Sequence, residues 1–280
     1  MIAIPIYPTE RLPAAYSEGG ACGLLQTVVA TTAALPQVEV ARPAPQRRSG
    51  VRIRRLSGRR PSLFQQQLRC GRPLVQPEGE LRGGYQAAKR LMDVVGAALL
   101  LALLAPILLG VFLVLLVTTR GKPIYRQVRL GYLGRPFTMY KFRTMAWNAN
   151  QAQHAVANEK DGPIFKNRRD PRVTRFGRLL RTTSLDETPQ LLNVLLGQMS
   201  LVGPRPPVIQ EVAQYTPWQR RRLAVMPGLT CLWQVSGRSE VAFTDWVRMD
   251  LWYIRNQSLL TDLNLLLRTP WSVISGRGAY

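Results

Sequence analysis

Val94-Val-Gly-Ala-Ala-Leu-Leu-Leu-Ala-Leu-Leu-Ala-Pro106-Ile-Leu-Leu-Gly-Val-Phe-Leu-Val-Leu-Leu-Val-Thr-Thr119 is a run of 26 residues without a charged side chain. A helix embedded in a bilayer needs about 20 predominantly apolar residues, so this run is long enough. Pro106 sits near its centre, where it cannot donate to the carbonyl of Ala102 and its ring crowds the preceding turn, so the helix must kink or break there. Lys89 and Arg90 precede the run, and Arg120, Lys122, Arg126 and Arg129 follow it. A single span would carry one of these basic flanks across the membrane, against the positive-inside tendency. A re-entrant helix-break-helix that dips into one leaflet and returns keeps both flanks on the cytoplasmic side, provided the freed backbone groups find partners within the protein. That reading is preferred to a kinked single span, and both to the buried helix of a soluble protein.

Upstream, residues 1–85 mix prolines, glycines and arginines (Arg47, Arg48, Arg52, Arg54, Arg55, Arg59, Arg60) without sustained periodicity. They read as a disordered basic extension. The first residues carry no basic n-region and are interrupted by Pro5, Pro8 and Pro13, so they do not read as a secretory signal. Downstream, residues 124–128 and 136–142 read as short strands around a turn at 131–134. Helical patterns follow over 188–196, 208–224, 244–255 and 259–267, bounded by Pro and Gly. The expected class is α+β, predominantly helical, with a small β-hairpin and the re-entrant segment over 86–122. All six tryptophans (Trp147, Trp218, Trp233, Trp246, Trp252, Trp271) lie after the apolar run. Amphipathic helices carrying Trp and Arg suit the bilayer interface, although core packing is the favoured reading for any single one.

The charge balance is 38 basic against 16 acidic residues, a net +22, with 46% hydrophobic residues. This disfavours both a wholly disordered chain and an ordinary acidic cytosolic enzyme. It points to an anionic partner, whether nucleic acid, a phosphorylated small molecule or an anionic membrane. Cys22, Cys70 and Cys231 are too widely spaced for a CxxC pair, and His154 is the only histidine. A zinc site or a Ser/His/Asp triad would lack its components.

The run Arg181-Thr-Thr-Ser-Leu-Asp186-Glu187-Thr-Pro-Gln-Leu-Leu places two adjacent carboxylates at the start of an expected amphipathic helix. One reading is a helix start, since Ser184 and Glu187 match a Ser-x-x-Glu capping box and Asp186 is also a fair cap, the better one given Pro189. The other uses the same helix N-terminus to keep Asp186 ionised and to attract a phosphate. An ionised aspartate can attack phosphorus, and an adjacent glutamate can hold Mg²⁺. The motif alone leaves both readings open. Arg181, Arg205 in Val202-Gly-Pro-Arg-Pro206, and Arg238 in Trp-Gln-Val-Ser-Gly-Arg could converge as a diphosphate cradle, since guanidinium suits bidentate phosphate binding.

These residues together resemble the bacterial sugar transferases, also called monotopic phosphoglycosyl transferases or polyprenyl-phosphate glycosylphosphotransferases. The resemblance runs over residues 86–280. It rests on Lys89-Arg90-x-x-Asp93, central Pro106, Arg126-Gln-x-Arg-x-Gly131, Lys141-Phe-Arg-Thr-Met145, Leu185-Asp-Glu-Thr-Pro-Gln-Leu191, Met199-Ser-Leu-Val-Gly-Pro-Arg-Pro206, Pro227-Gly-Leu-Thr230 and the late Asp262-Leu. It implies residues 123–280 as a catalytic domain on the cytoplasmic face of the bacterial inner membrane. It further implies that Asp186 attacks the β-phosphate of a UDP-sugar, releasing UMP, and that polyprenyl (undecaprenyl) phosphate then takes the sugar-phosphate, initiating exopolysaccharide or another surface glycan. Glu187 would carry Mg²⁺. Arg181, Arg205 and Arg238 match positions associated with phosphate or nucleotide, Lys141 a basic position near the site, and Asp262 a supporting acid. The family often has serine before the central proline, where this chain has Ala105. Larger members also carry N-terminal transmembrane helices and a further soluble domain, and residues 1–85 resemble neither.

Two rival classes stand beside this reading. A glycosyltransferase moving sugar alone would release UDP, but the chain has no Asp-x-Asp metal motif. A non-enzymatic basic membrane scaffold or nucleic-acid binder accounts for the charge but not for the combined acid and arginine motifs. Glucose or galactose is the expected sugar, with an N-acetylated sugar, the lipid length and a monomer or homodimer left open.

Overall fold

The computed structural model describes residues 63–70, 72–77, 83–146, 149, 156–159, 162–165, 167–237 and 241–275. In order they form α1 (Leu63–Arg69), α2 (Gly83–Thr118), β1 (Ile124–Leu130), β2 (Pro136–Phe142), α3 (Arg175–Thr182), α4 (Gln190–Leu195), β3 (Ser200–Val202), α5 (Ile209–Ala213), α6 (Pro217–Arg220), β4 (Gly228–Thr230), α7 (Leu232–Ser236), α8 (Phe243–Arg255) and α9 (Leu259–Ser275). The class is α+β and mostly helical, as the sequence indicates.

The apolar run lies in α2, which continues through Pro106 instead of dividing at it. A proline removes one backbone hydrogen bond and bends a helix, but the bonds on either side can hold the element together. Leu99, Leu103, Ile107, Leu109, Leu113 and Val117 are all 50–82% exposed. Covering each such side chain is worth about 1.5–3 kcal/mol, so this surface calls for an apolar surrounding. Other positions of α2 pack on the rest of the chain. Ala97 joins the apolar cluster of Met139, Leu191, Val194 and Leu201, while Val111 and Leu115 join that of Phe142 and Leu180.

The Lys-Arg-x-x-Asp motif at the start of α2 is a docking device. Lys89 Nζ pairs with Asp262 at 2.8 Å and donates to the Tyr253 hydroxyl at 3.1 Å. Arg90 donates to the carbonyls of Val194 and Leu195 at 2.7 and 2.9 Å, capping the end of α4. Asp93 accepts from Ser200 Oγ at 3.0 Å and from the Leu201 amide at 2.9 Å, which ties α2 to β3.

Strands β1 and β2 form the expected hairpin, antiparallel from Ile124↔Phe142 to Leu130↔Pro136. The sequence does not foreshadow the second sheet, in which β3 and β4 pair in parallel through Ser200↔Gly228 and Val202↔Thr230. Strands this short show no alternation to read. Their approach depends on glycine, because a Cβ on Gly228 would lie 2.0 Å from the Gly203 amide nitrogen.

Three expected boundaries are corrected. Residues 208–224 are not one helix but α5, α6 and a 3-10 turn at Arg221–Leu223. Pro217 sits at the start of α6, where Thr216 Oγ1 accepts from the Gln219 amide in a capping box, so the sequence restarts the helix there. The last helix runs past residue 267 to Ser275, with Pro270 inside it. Residues 63–77, expected to belong to a disordered extension, include α1 and pack Phe64, Leu68, Leu74 and Val75 against the core around Trp246, with the Leu74 amide donating to the Leu133 carbonyl at 2.9 Å. The rest of that extension lies outside the described residues, apart from the start of α2.

Trp233 and Trp246 are buried and stacked, with centroids 3.8 Å apart and planes 9° apart. Trp271 is exposed and shares a stripe of α9 with Leu260, Leu263, Leu267 and Ile274, spaced three or four residues apart, while Asp262 and Leu265 on the same helix are buried. Trp147 lies outside the described residues.

Candidate functional site

The acid pair sits where α3 hands over to α4. Ser184 has left-handed backbone (φ 57), which turns the chain into the 3-10 segment Leu185–Glu187. Neither expected cap is made: Ser184 forms no side-chain cap, and α4 starts only at Gln190 after Pro189. Pro189 fits just ahead of a helix, where its missing N–H costs nothing, and this pushes the helix past the acids. Helix-terminal N–H groups therefore do not favour ionised Asp186; nearby cations do, without fully offsetting its burial.

Asp186 is 7% exposed. Burial raises its carboxyl to about 6, with Glu187 adding to the rise, while Lys141, Arg181 and Arg205 pull it back. Glu187 behaves in the opposite way. Burial also pushes it up, but Lys141 and Arg205 more than offset this and hold it well below the ordinary carboxylate range. Lys141 Nζ lies 2.6 Å and Arg205 Nη1 3.2 Å from the same oxygen, Oε1. Burial pushes the Lys141 ammonium down, and Glu187 opposes the shift.

Each cation is delivered by its own element. Lys141 lies on β2 opposite Tyr125 of β1. Arg205 follows β3, on the turn that the Gly203–Gly228 contact folds against β4. Arg181 lies one turn beyond Gly177 on α3. A Cβ on Gly177 would meet the Thr144 carbonyl oxygen at 2.0 Å, so glycine lets α3 close on Thr144, and Arg181 Nε then donates to Thr144 Oγ1 at 3.1 Å.

Asp186, Glu187, Lys141, Arg181 and Arg205 are thus brought into one site. Asp262 is not among them: it is fully buried at the junction of α2, α8 and α9, bound by Lys89, Tyr85 and Tyr253, and its support is structural. Pro106 lies within α2, and Arg238 lies outside the described residues. Sequence reasoning missed Thr144 and the buried Asp170–Arg172 pair, 2.6 Å apart, whose charges act on Arg181. It also gave no role to Arg129, whose Nη1 donates to the Pro206 carbonyl at 3.0 Å beside Arg205. The alternation of β1 was a signal available for Arg129, since it shares a face with Gln127 and Tyr125.

Among the described residues no group of three or more His, Cys, Asp or Glu could hold a metal ion. The two adjacent carboxylates do fit Mg²⁺, which is commonly bound by one or two carboxylates plus substrate phosphates. Both cations contact Oε1 of Glu187, so Oε2 can ligate without breaking either ion pair.

The model of the bacterial sugar transferase family matches residues 84–276, from the start of α2 to the end of α9. The chain belongs to this family. It is 43% identical over 196 residues to the galactosyl transferase CpsE of Streptococcus agalactiae, a match covering 69% of this chain and 43% of that protein. It is 42% identical over 223 residues to the UDP-glucose:undecaprenyl-phosphate glucose-1-phosphate transferase of Caulobacter vibrioides, covering 76% and 77%. It is also 39% identical over 213 residues to the exopolysaccharide production protein ExoY of Sinorhizobium fredii, covering 74% and 94%. The chain spans less than half the length of several curated relatives, 41–43% in four of them. The matched region of the family contains the whole acid–cation site.

Proposed function

We propose that the protein transfers a sugar-1-phosphate from a UDP-sugar to polyprenyl phosphate and releases UMP. The observation that carries this reading is a buried aspartate beside a glutamate held by two cations, on a body that also carries a long, outward-facing apolar helix. Burial makes this carboxyl more basic than an ordinary carboxylate, which suits a nucleophile.

An Asp186 oxygen attacks the β-phosphorus of the donor, and the bond from that phosphorus to the bridging oxygen breaks. UMP leaves with that oxygen, and the sugar-phosphate remains on the carboxyl as an acyl phosphate. An oxygen of polyprenyl phosphate then attacks the same phosphorus, the bond to Asp186 breaks, and the free carboxylate returns with polyprenyl-diphosphate-sugar as product. Arg181, Arg205 and Lys141 offset the negative charge gathered there. Glu187, with Asp186 beside it, would hold Mg²⁺, which when bound screens the repulsion between carboxylate and diphosphate. Glucose and galactose appear in the names of relatives, and one of the two is the sugar we expect here.

The topology we propose is re-entrant, on the cytoplasmic face of the inner membrane. Basic residues flank both ends of the apolar run. Pro106 lies near the centre of that run, where a bend would let both ends of α2 stay on one side of the bilayer. The exposed stripe of α9 then lies along the interface.

The test is nucleotide release from a panel of UDP-sugars by purified protein with Mg²⁺ and undecaprenyl phosphate, comparing wild type with Asp186→Asn. UMP release that the variant loses is the expected result. UDP release would identify a sugar-only transferase, and no release across the panel by folded protein would return the scaffold reading.

A further inference from the structure

Lys141 and Thr144 lie three residues apart where β2 ends, and each meets a different part of the acid site. Lys141 Nζ contacts Glu187 at 2.6 Å, while Thr144 Oγ1 accepts from Arg181 Nε at 3.1 Å. Between them, Phe142 is buried in one apolar cluster with Leu180 of α3. Thr144 itself is 6% exposed.

The start of α3 clamps the backbone of Thr144. Its carbonyl accepts from the Thr174 amide at 3.0 Å and from Thr174 Oγ1 at 3.3 Å. The same Thr174 oxygen caps α3 by accepting from the Gly177 amide at 2.9 Å. One residue on, Met145 bridges Val173, and the Ala146 amide donates to the Arg172 carbonyl at 2.9 Å. Gly177 and Arg181 are four residues apart on α3, so they share the helix face that closes on Thr144. The Thr144 hydroxyl therefore stands on a fixed support.

Arg181 needs such a support. Its side chain has many rotamers, and two carboxylates, Asp186 and Asp170, attract it. Left free, the guanidinium would close on one of them. Arg175 and Arg178 of the same helix are exposed, whereas Arg181 is half-buried against Thr144. A guanidinium has five N–H donors in a planar fork. The bond from Nε uses one and fixes the plane, which leaves the four N–H bonds of the two Nη groups, an edge that matches two oxygens of one phosphate.

We propose that Thr144 is a positioning residue: its hydroxyl holds Arg181 by Nε so that the two Nη groups face the phosphoryl group under attack, instead of pairing with the attacking Asp186. The inference rests on the phosphoglycosyl-transfer reading and adds a residue that acts through Arg181. A cation already in place costs no reorganisation as charge develops, so it lowers the barrier more than it tightens binding of the donor.

The experiment measures steady-state UMP release by the full-length protein in nanodiscs, with Mg²⁺, undecaprenyl phosphate and the UDP-sugar most active in the panel, alongside thermal unfolding. Wild type is compared with Thr144→Val, Thr144→Ser, Arg181→Gln and the double variant Thr144→Val/Arg181→Gln. Valine keeps the shape of threonine and removes the acceptor. In Thr144→Val, kcat should fall about tenfold to a hundredfold while donor KM moves less than about threefold. Serine keeps the hydroxyl, so Thr144→Ser should hold kcat within about threefold of wild type. In the Arg181→Gln background, Thr144→Val should cost less than about twofold more, because its effect passes through Arg181. The proposal is overturned by a kcat in Thr144→Val within about twofold of wild type per folded molecule, whatever its melting temperature. Equal losses in Thr144→Val and Thr144→Ser overturn it too, as does a double variant whose loss is the product of the two single losses. Should Arg181→Gln release no measurable UMP, the valine and serine variants decide; should Thr144→Val fail to fold, Thr144→Ala replaces it under the same criteria. Wild type that releases UMP while Thr144→Val turns over normally sinks only this inference. Wild type that releases no UMP from any donor sinks the functional reading, and this inference with it.

Discussion

Replacing Asp186 with asparagine should make the protein more stable while removing its activity. The carboxyl is 7% exposed, and burial raises it from its ordinary 3.8 to about 6 even with Lys141, Arg181 and Arg205 near it. At ~1.4 kcal/mol per tenfold change in proton affinity, this corresponds to a penalty of about 3 kcal/mol on the ionised form. Between these two values the native state binds more protons than the unfolded state, so stability falls as pH rises through the window. The penalty is complete above about pH 7 and absent below about pH 4. Asparagine keeps the volume and carries no charge. For a body of about 200 residues, 3 kcal/mol corresponds to a rise of about 6–12 °C in melting temperature. The assay is thermal unfolding of wild type and variant in nanodiscs at one scan rate, at pH 7.5 and at pH 4. Groups other than Asp186 titrate in both proteins, so the difference between them isolates this carboxyl. A variant no more stable than wild type at pH 7.5 would refute the reasoning, as would an advantage that persists unchanged at pH 4.

Because the ionised form attacks, kcat/KM for UMP release should rise through about pH 6 and level off above it; a profile flat from pH 5 to 7.5 would remove Asp186 as the titrating nucleophile. Gly177→Ala places a methyl group 2.0 Å from the Thr144 carbonyl oxygen, so α3 must retreat and take Arg181 with it. The expected result is a loss of about 1–3 kcal/mol in stability and a fall in turnover, read by melting and UMP release. Asp262→Asn leaves Lys89 without its carboxylate where α2 docks. It should cost about 3–5 kcal/mol of stability, while UMP release per folded molecule stays within about threefold of wild type, because Asp262 does not touch the acid pair.

Much of this architecture is written in local signals. Pro136 and the glycines at 131 and 134 mark a hairpin whose strands follow the expected bounds closely, and 26 uncharged residues leave little choice for α2. The sequence conceals whatever depends on distant partners. The β3–β4 pair exists because two glycines, far apart in the chain, allow two backbones to touch. Ser184 looks like a cap but adopts a left-handed turn, because the chain must reverse between α3 and the acid pair. Asp262 looks like a site acid because charge is read from sequence without location, and its burial against Lys89 and two tyrosines is a tertiary fact.

Asp186 and Glu187 are neighbours in the chain, yet the fold pushes their proton affinities in opposite directions, and such a split assigns roles. Glu187 takes the direct contacts of Lys141 and Arg205 and stays anionic wherever Asp186 titrates. Asp186 feels the same cations only through space and keeps the basicity a nucleophile needs. The split depends on register, because a slip of one residue would turn Lys141 to the other face of the hairpin. Asn193 opposes that slip. Fully buried on α4, it accepts from the Tyr140 amide at 3.1 Å and donates to the Thr138 carbonyl at 2.7 Å, gripping the free edge of β2. The helix that follows the acid pair therefore also grips the strand that supplies its cation, and this adds to the pairing with β1 in holding the two carboxylates and Lys141 in one geometry.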